Sequence, residues 1–166
     1  MEQHSIPISG NTTDLYISAG AEAAMAERYL PALSIPPGHG RQAAIVSSFR
    51  RMLCRHYQDL YNGHAERAFN AKEYADALGL HPNYLNYVIR QRTGKPVSKW
   101  IINKTISESK FLLAYSGLSI KEIAYRLGFT EPSYFSRYFR KYAQVTAAAY
   151  RSSIRNSGTN TPAHCA

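Results

Sequence analysis

The stretch Ser119-Ile120-Lys121-Glu122-Ile123-Ala124-Tyr125-Arg126-Leu127-Gly128-Phe129 restates an earlier one, Asn70-Ala71-Lys72-Glu73-Tyr74-Ala75-Asp76-Ala77-Leu78-Gly79-Leu80. Each copy is followed by a short break and a second amphipathic segment, with Tyr84-Leu85 in the first and Tyr134-Phe135 in the second. Self-similarity at a period of roughly fifty residues marks a repeated supersecondary unit, and helix, glycine turn, helix is a helix-turn-helix. Asn70 and Glu73 stand three apart, as do Ser119 and Glu122, so each pair can close a capping box on a first helical turn. Tyr74, Ala75 and Leu78 match Ile123, Ala124 and Leu127 as an apolar stripe at helical spacing. Ala75 and Ala124 are small where a second helix must cross closely. Gly79 and Gly128 stand where the chain leaves the helix, a place for left-handed backbone.

Working outward, Ile45, Phe49, Met52-Leu53, His56-Tyr57 and Leu60-Tyr61 share one face from Arg41 until Asn62-Gly63, which predicts a leading helix for the first unit. Pro82 suits the first turn of the next helix; there Leu85, Val88 and Ile89 point inward, and Asn83, Asn86, Tyr87 and Arg90 outward. From Pro96 to about Tyr115 a long helical pattern carries Val97, Trp100, Ile101, Ile106 and Leu112-Leu113. It would reach about 28 Å, close to the ~34 Å at which one face of B-DNA recurs. In the second unit Phe135, Tyr138 and Phe139 face inward and Ser133, Ser136, Arg137 and Arg140 outward; a final short helix starts at Thr146. The fold class is therefore all-α, two helix-turn-helix subdomains joined by a central linker helix, over residues 41–155. Residues 1–40 form a poorly defined N-terminal segment with a candidate helix from Ala21 to Leu30, and 156–166 a polar tail expected to be disordered.

The 166 residues suffice for one domain with a real core. No apolar run is long enough to span a bilayer, and Met1-Glu2-Gln3-His4 does not begin a secretory signal. Cys54 and Cys165 make no disulfide framework, so a reducing cytoplasm is the expected location. The net charge of +9 is unevenly placed: residues 1–69 hold six Arg against six Asp and Glu, and 70–166 hold fourteen Lys and Arg against five acids. A basic excess confined to one region is the footprint of a polyanion binder. The outward residues suit base reading, since Asn pairs bidentately with adenine and Arg with guanine. Lys72, Lys95, Lys104, Lys121, Lys141 and Arg151, with Arg92, Lys99 and Arg126, are expected at phosphates or as solvated charge.

Enzymatic readings find little to stand on. The six histidines form no metal-ligand pair, and Cys54 and His56 lie on different faces of one helix, against a zinc site with His64. No phosphate-cradling glycine loop, dinucleotide fingerprint or nucleophile elbow is present. No catalytic residue, metal ligand or cofactor is assigned. Tyr134, Tyr138 and Tyr142, at helical spacing, are expected in the core and its margin rather than as a stacking platform, and Trp100 likewise.

The run from Asn70 to Arg151 resembles the DNA-binding domain of AraC/XylS-type bacterial transcription regulators. The resemblance lies in Ala75…Leu78-Gly79-Leu80…Tyr84-Leu85, in Thr93-Gly94-Lys95-Pro96 and in Glu108-Ser109-Lys110-Phe111-Leu112-Leu113. Its most specific part is Ile120-Lys121-Glu122-Ile123-Ala124, Leu127-Gly128-Phe129 and Tyr134-Phe135-Ser136-Arg137-Tyr138-Phe139-Arg140-Lys141, closing at Tyr150-Arg151. It implies a seven-helix domain, sequence-specific binding to double-stranded promoter DNA in the nucleoid, and activation through RNA polymerase. The recognition helices would be about Pro82–Arg92 and Glu131–Tyr142. This chain departs from the family pattern at Gln144 (usually Gly), Ala147 (usually Pro), Lys104 (usually Arg) and Ser109 (usually Ala). About forty residues precede the first helix, fewer than the sensor domain many relatives carry, so a short regulator or a piece of a longer one is expected. The rival reading is a truncated interaction module that holds RNA polymerase or a partner regulator without reading DNA. Oligomeric state is unassigned.

Overall fold

The computed structural model describes residues 40–158, and among them the chain forms seven helices and no strand. They are α1 (Arg41–Asn62), α2 (Ala71–Ala77), α3 (Pro82–Thr93), α4 (Val97–Tyr115), α5 (Ile120–Arg126), α6 (Pro132–Ala143) and α7 (Ala147–Gly158). The candidate helix from Ala21 to Leu30 lies outside the described residues. The last helix runs on to Gly158, past the residue 155 at which the domain was expected to end.

Local chemistry sets the boundaries. Asn70 Oδ1 accepts from the backbone N–H groups of Lys72 and Glu73 at 2.9 and 3.0 Å, and Asn70 N donates back to Glu73 Oε2 at 2.8 Å. Ser119 and Glu122 repeat this exchange at 3.2 and 2.7 Å. Each box satisfies donors that the first helical turn leaves open. Pro82 and Pro132 both stand in the first turn of their helices, where the missing N–H costs nothing. The glycines between α2 and α3 and between α5 and α6 are left-handed, with φ of +64° at Gly79 and +78° at Gly128.

A single core joins both units. Phe49, Leu53, Tyr57 and Leu60 of α1, Tyr74 and Ala75 of α2, and Leu85 and Ile89 of α3 are buried in it. So are Phe111, Leu112 and Leu113 of α4, Ile123 and Ala124 of α5, Phe135 and Phe139 of α6, and Ala147 of α7. Each large side chain hidden this way stabilises by about 1.5–3 kcal/mol relative to exposure. The central helix α4 packs on helices of both units, α1, α2 and α3 of the first and α5, α6 and α7 of the second. Trp100, expected in the core, lies only half-buried at its margin, its indole N–H donating to Thr93 Oγ1 at 3.1 Å. Polar groups are also buried in α4. Thr105 donates to Ile101 O (2.9 Å) and accepts from the Tyr57 phenol of α1 (2.6 Å), while Ser109 donates to Thr105 O (2.7 Å).

The one described residue other than glycine at positive φ is Gln144, at +61°, where α6 ends. A β-carbon makes this conformation cost about 1–2 kcal/mol, partly offset by the bond from Gln144 Nε2 to Lys141 O at 2.7 Å. Gln144→Gly should therefore raise stability by about 0.5 kcal/mol after the extra chain entropy of glycine is counted; a lower thermal midpoint would contradict this. The capping boxes carry a pH signature. The Arg67 guanidinium, then the Asn70 N–H, hold the Glu73 carboxyl down at about 2. Its contribution is complete above the usual carboxylate range and fades as pH falls towards 2. The stability gap between the protein and Glu73→Gln should thus be widest above pH 5 and close on acidification, as urea titrations at several pH values will show.

Candidate nucleic-acid interface

On each second helix the apolar residues that seat it leave one polar face outward. In α3, Leu85, Val88 and Ile89 are fully buried, which turns Asn83, Tyr87 and Arg90 to solvent. In α6, Phe135 and Phe139 are fully buried and Ser133, Ser136, Arg137 and Arg140 are exposed. The two helices are equivalent in the repeat, and both are seated on the shared core. The helix α4, which links the two units in sequence, is about 28 Å long at a rise of 1.5 Å over its 19 residues.

The side chains of the two faces are differently prepared. Asn86, expected outward with its neighbours, is half-buried: its Oδ1 accepts from Val97 N, the first residue of α4, at 3.1 Å. It ties α3 to the central helix, which leaves only its amide N–H2 group for an outside partner. Ser133 donates to Glu131 Oε2 at 3.0 Å and Ser136 back-bonds to Pro132 O at 2.9 Å. The Arg137 guanidinium lies 5.0 Å over the ring of Tyr134, which is 48% exposed rather than part of the core. Stacking of this kind narrows the orientations of an arginine before it meets a ligand. Arg90 and Arg140 have no side-chain partner among the described residues.

The exits of the two helices differ as well. After α3, Thr93 Oγ1 donates to Ile89 O at 2.7 Å and accepts from Lys95 N and from the Trp100 indole, at 3.4 and 3.1 Å. After α6 the corresponding residue is Ala143, followed by the strained Gln144 and by Val145, which is 41% exposed. Sequence patterning found both polar faces and missed this asymmetry, because the repeat aligns positions and not their partners.

Positive charge surrounds the faces more widely than the division at residue 69 suggested. Residues 40–158 hold nineteen Lys and Arg against seven Asp and Glu, a net of +12, because α1 brings Arg41, Arg50, Arg51 and Arg55. Lys95, Lys121 and Lys141 are exposed, and Lys72 is exposed beside Asp76, with 2.8 Å between their charged atoms. Three other cations do not behave as expected. Lys104 is largely covered and paired with the buried Glu108 at 2.7 Å. Arg151 donates to Leu113 O and Leu118 O, at 3.3 and 2.7 Å, and so closes α7 onto α4. Arg126 donates to Tyr61 O at 2.6 Å. These three hold the fold instead of presenting charge. Among the described residues no group of three His, Cys, Asp or Glu could hold a metal ion, and no helix is long and apolar enough to cross a membrane. His56 is stacked on Phe69 at 3.9 Å between ring centres.

The helix-turn-helix domain family matches residues 74–153. The regulatory protein PocR of Salmonella typhimurium is 30% identical over 96 residues, which is 58% of this chain and 32% of that protein. The HTH-type transcriptional activator RhaR of Cronobacter sakazakii is 31% identical over 134 residues, 75% of this chain and 40% of that protein. The chain thus spans well under half the length of either relative. Among solved structures, the C-terminal domain of AraT, a response regulator from Geobacillus stearothermophilus, superposes with a TM-score of 0.59 at 26% identity, covering 69% of this chain and 88% of that domain.

The covered Lys104 separates fold from surface charge. Breaking a buried ion pair from one side costs about 3–5 kcal/mol, so Lys104→Met should lower the free energy of unfolding in urea by about 2 kcal/mol or more. A loss below about 0.5 kcal/mol, the level of an ordinary surface substitution, would return this lysine to the solvent-facing set.

Proposed function

Because residues 74–153 are an AraC-type helix-turn-helix domain, we propose that the chain is a sequence-specific regulator of transcription. It would lay α3 and α6 into successive major-groove segments of promoter DNA. The observation that carries this reading is the paired exposed face. Two equivalent helices, each seated by buried apolar residues, present Arg90 on one and Arg137 and Arg140 on the other, and the 19-residue helix that joins their units has a length approaching one DNA turn.

In this reading Asn83, Tyr87 and Arg90, with the amide N–H2 of Asn86, contact one half-site, and Ser133, Ser136, Arg137 and Arg140 the other. Arginine forks match the O6 and N7 acceptors of guanine in the major groove, while the hydroxyls serve phosphates or base edges. Lys72, Lys95, Lys121 and Lys141 neutralise backbone phosphates. The reading makes the protein a non-enzymatic regulator working in the cytoplasm on the nucleoid, with RNA polymerase as the second partner through which activation would run. The likeness to PocR, a regulatory protein, and RhaR, a transcriptional activator, supports it.

Selection from a random duplex pool, with the winner's affinity followed against salt, tests the proposal. Two half-motifs about one turn apart, bound roughly a thousandfold or more tighter than random DNA, are expected; a steep salt slope without any selected motif would overturn it. Arg137→Ala should cost about 1–3 kcal/mol and relax preference at one base position, whereas Lys121→Ala should weaken all sequences alike and lower the salt slope by about one.

A further inference from the structure

Arg126 closes α5 with a bond that its own unit does not need. Its guanidinium reaches back 65 residues to the carbonyl of Tyr61, at the end of α1, and lies 6.0 Å over the Tyr61 ring. At the matching position of the first copy stands Ala77. The glycines that follow differ in the same way. A β-carbon at Gly79 would meet nothing within 4 Å, so that residue serves its positive φ alone. One at Gly128 would overlap the α-carbon of Arg67 and stand 3.0 Å from Ala68 N and Glu66 O. The turn of the second unit therefore sits directly on the backbone of residues 66–68. That loop is itself fixed to the first unit. His56 of α1 stacks on Phe69 with Nε2 3.0 Å from Arg67 O, and Arg67 pairs with Glu73 of α2.

Beyond α4 and the shared core, the two units are thus joined at one edge by the directional Arg126–Tyr61 and the close Gly128–Arg67 contacts. A helix fixes the distance between its ends, while apolar packing along it restrains the rotation of one unit about that axis less than a directional bond does. An attachment off its axis removes that freedom and sets the angle between the two units. Taking the chain as the two-headed DNA binder of the preceding section, we propose that Arg126 is a positioning residue that fixes the angular offset between α3 and α6. It would thereby set the number of base pairs accepted between the two half-sites. Each base pair added to the spacer rotates the far half-site by roughly 35° and moves it by about 3.4 Å. A rigid link at the edge of the shared core makes the protein sensitive to one such step.

The test is selection from a random duplex pool with the full chain and with Arg126→Ala, reading the distribution of spacer lengths between the selected half-motifs. The unaltered protein should favour one spacer by about tenfold or more over its neighbours, comparable with a mismatched base pair. Arg126→Ala should keep both half-motifs and spread over adjacent spacers, with Arg126→Lys, which retains one donor, restoring part of the preference. An unchanged spacer distribution would overturn the proposal. So would loss of the half-motif read by α6, which would make Arg126 a fold residue of the second unit only. Thermal melts accompany each variant, and Arg126→Gln is read by the same criteria if the alanine variant unfolds. If the unaltered chain selects no motif, the DNA-binding reading itself fails.

Discussion

Helices of seven residues do not persist alone in water, because nucleating one fixes several backbone dihedrals for each bond gained, and α2 and α5 are both of that length. Everything near them answers this constraint. Their first turns are closed by side chains at Asn70 and Ser119, and their last turns run into left-handed glycines that turn the chain at once. Their buried faces, Tyr74-Ala75 and Ile123-Ala124, have no exposed surface. With so little helix, burial must be complete, and the small Ala at each crossing lets the partner helix approach. The reading helices α3 and α6 inherit their placement from these two short braces.

What was legible in the sequence follows from range. Capping boxes, Pro82 at a helix start, and Gly79 and Gly128 at helix ends are contacts among residues a few positions apart, so sequence spacing specifies them. The apolar faces were legible for a similar reason, since a helix of fixed period declares which side is inward. What lay opposite each side chain was hidden. Arg126 and Arg151 end on backbone carbonyls, and every residue has one, so no side-chain pattern announces the acceptor. Asn86 looked like any outward Asn until its amide was found on Val97 N. The Lys104 and Glu108 pair has ordinary i,i+4 spacing, and only the packing of the elements around α4 removes it from solvent.

The central helix carries more than length. It is a spacer whose inner side is partly polar, with Thr105, Glu108 and Ser109 buried and bonded within α4 or to α1. The bond from Tyr57 to Thr105 crosses to another helix, and a directional bond of this kind restrains the rotation of α4 against α1 where an apolar face would tolerate sliding. On the proposed role of Arg126, the Tyr57–Thr105 bond and the Arg126 contact restrain the two units from different sides.

The unequal exits of α3 and α6 have an evolutionary consequence. Around Thr93 a change at one residue disturbs Ile89, Lys95 and Trp100 together, so the exit of α3 is tied to the framework and its sequence is hard to vary. Beyond Ala143 few such ties exist. On the proposed reading, a lineage descended from this chain would retune its preference first through α6, where substitutions meet less epistasis, while α3 preserved the ancestral half of the site.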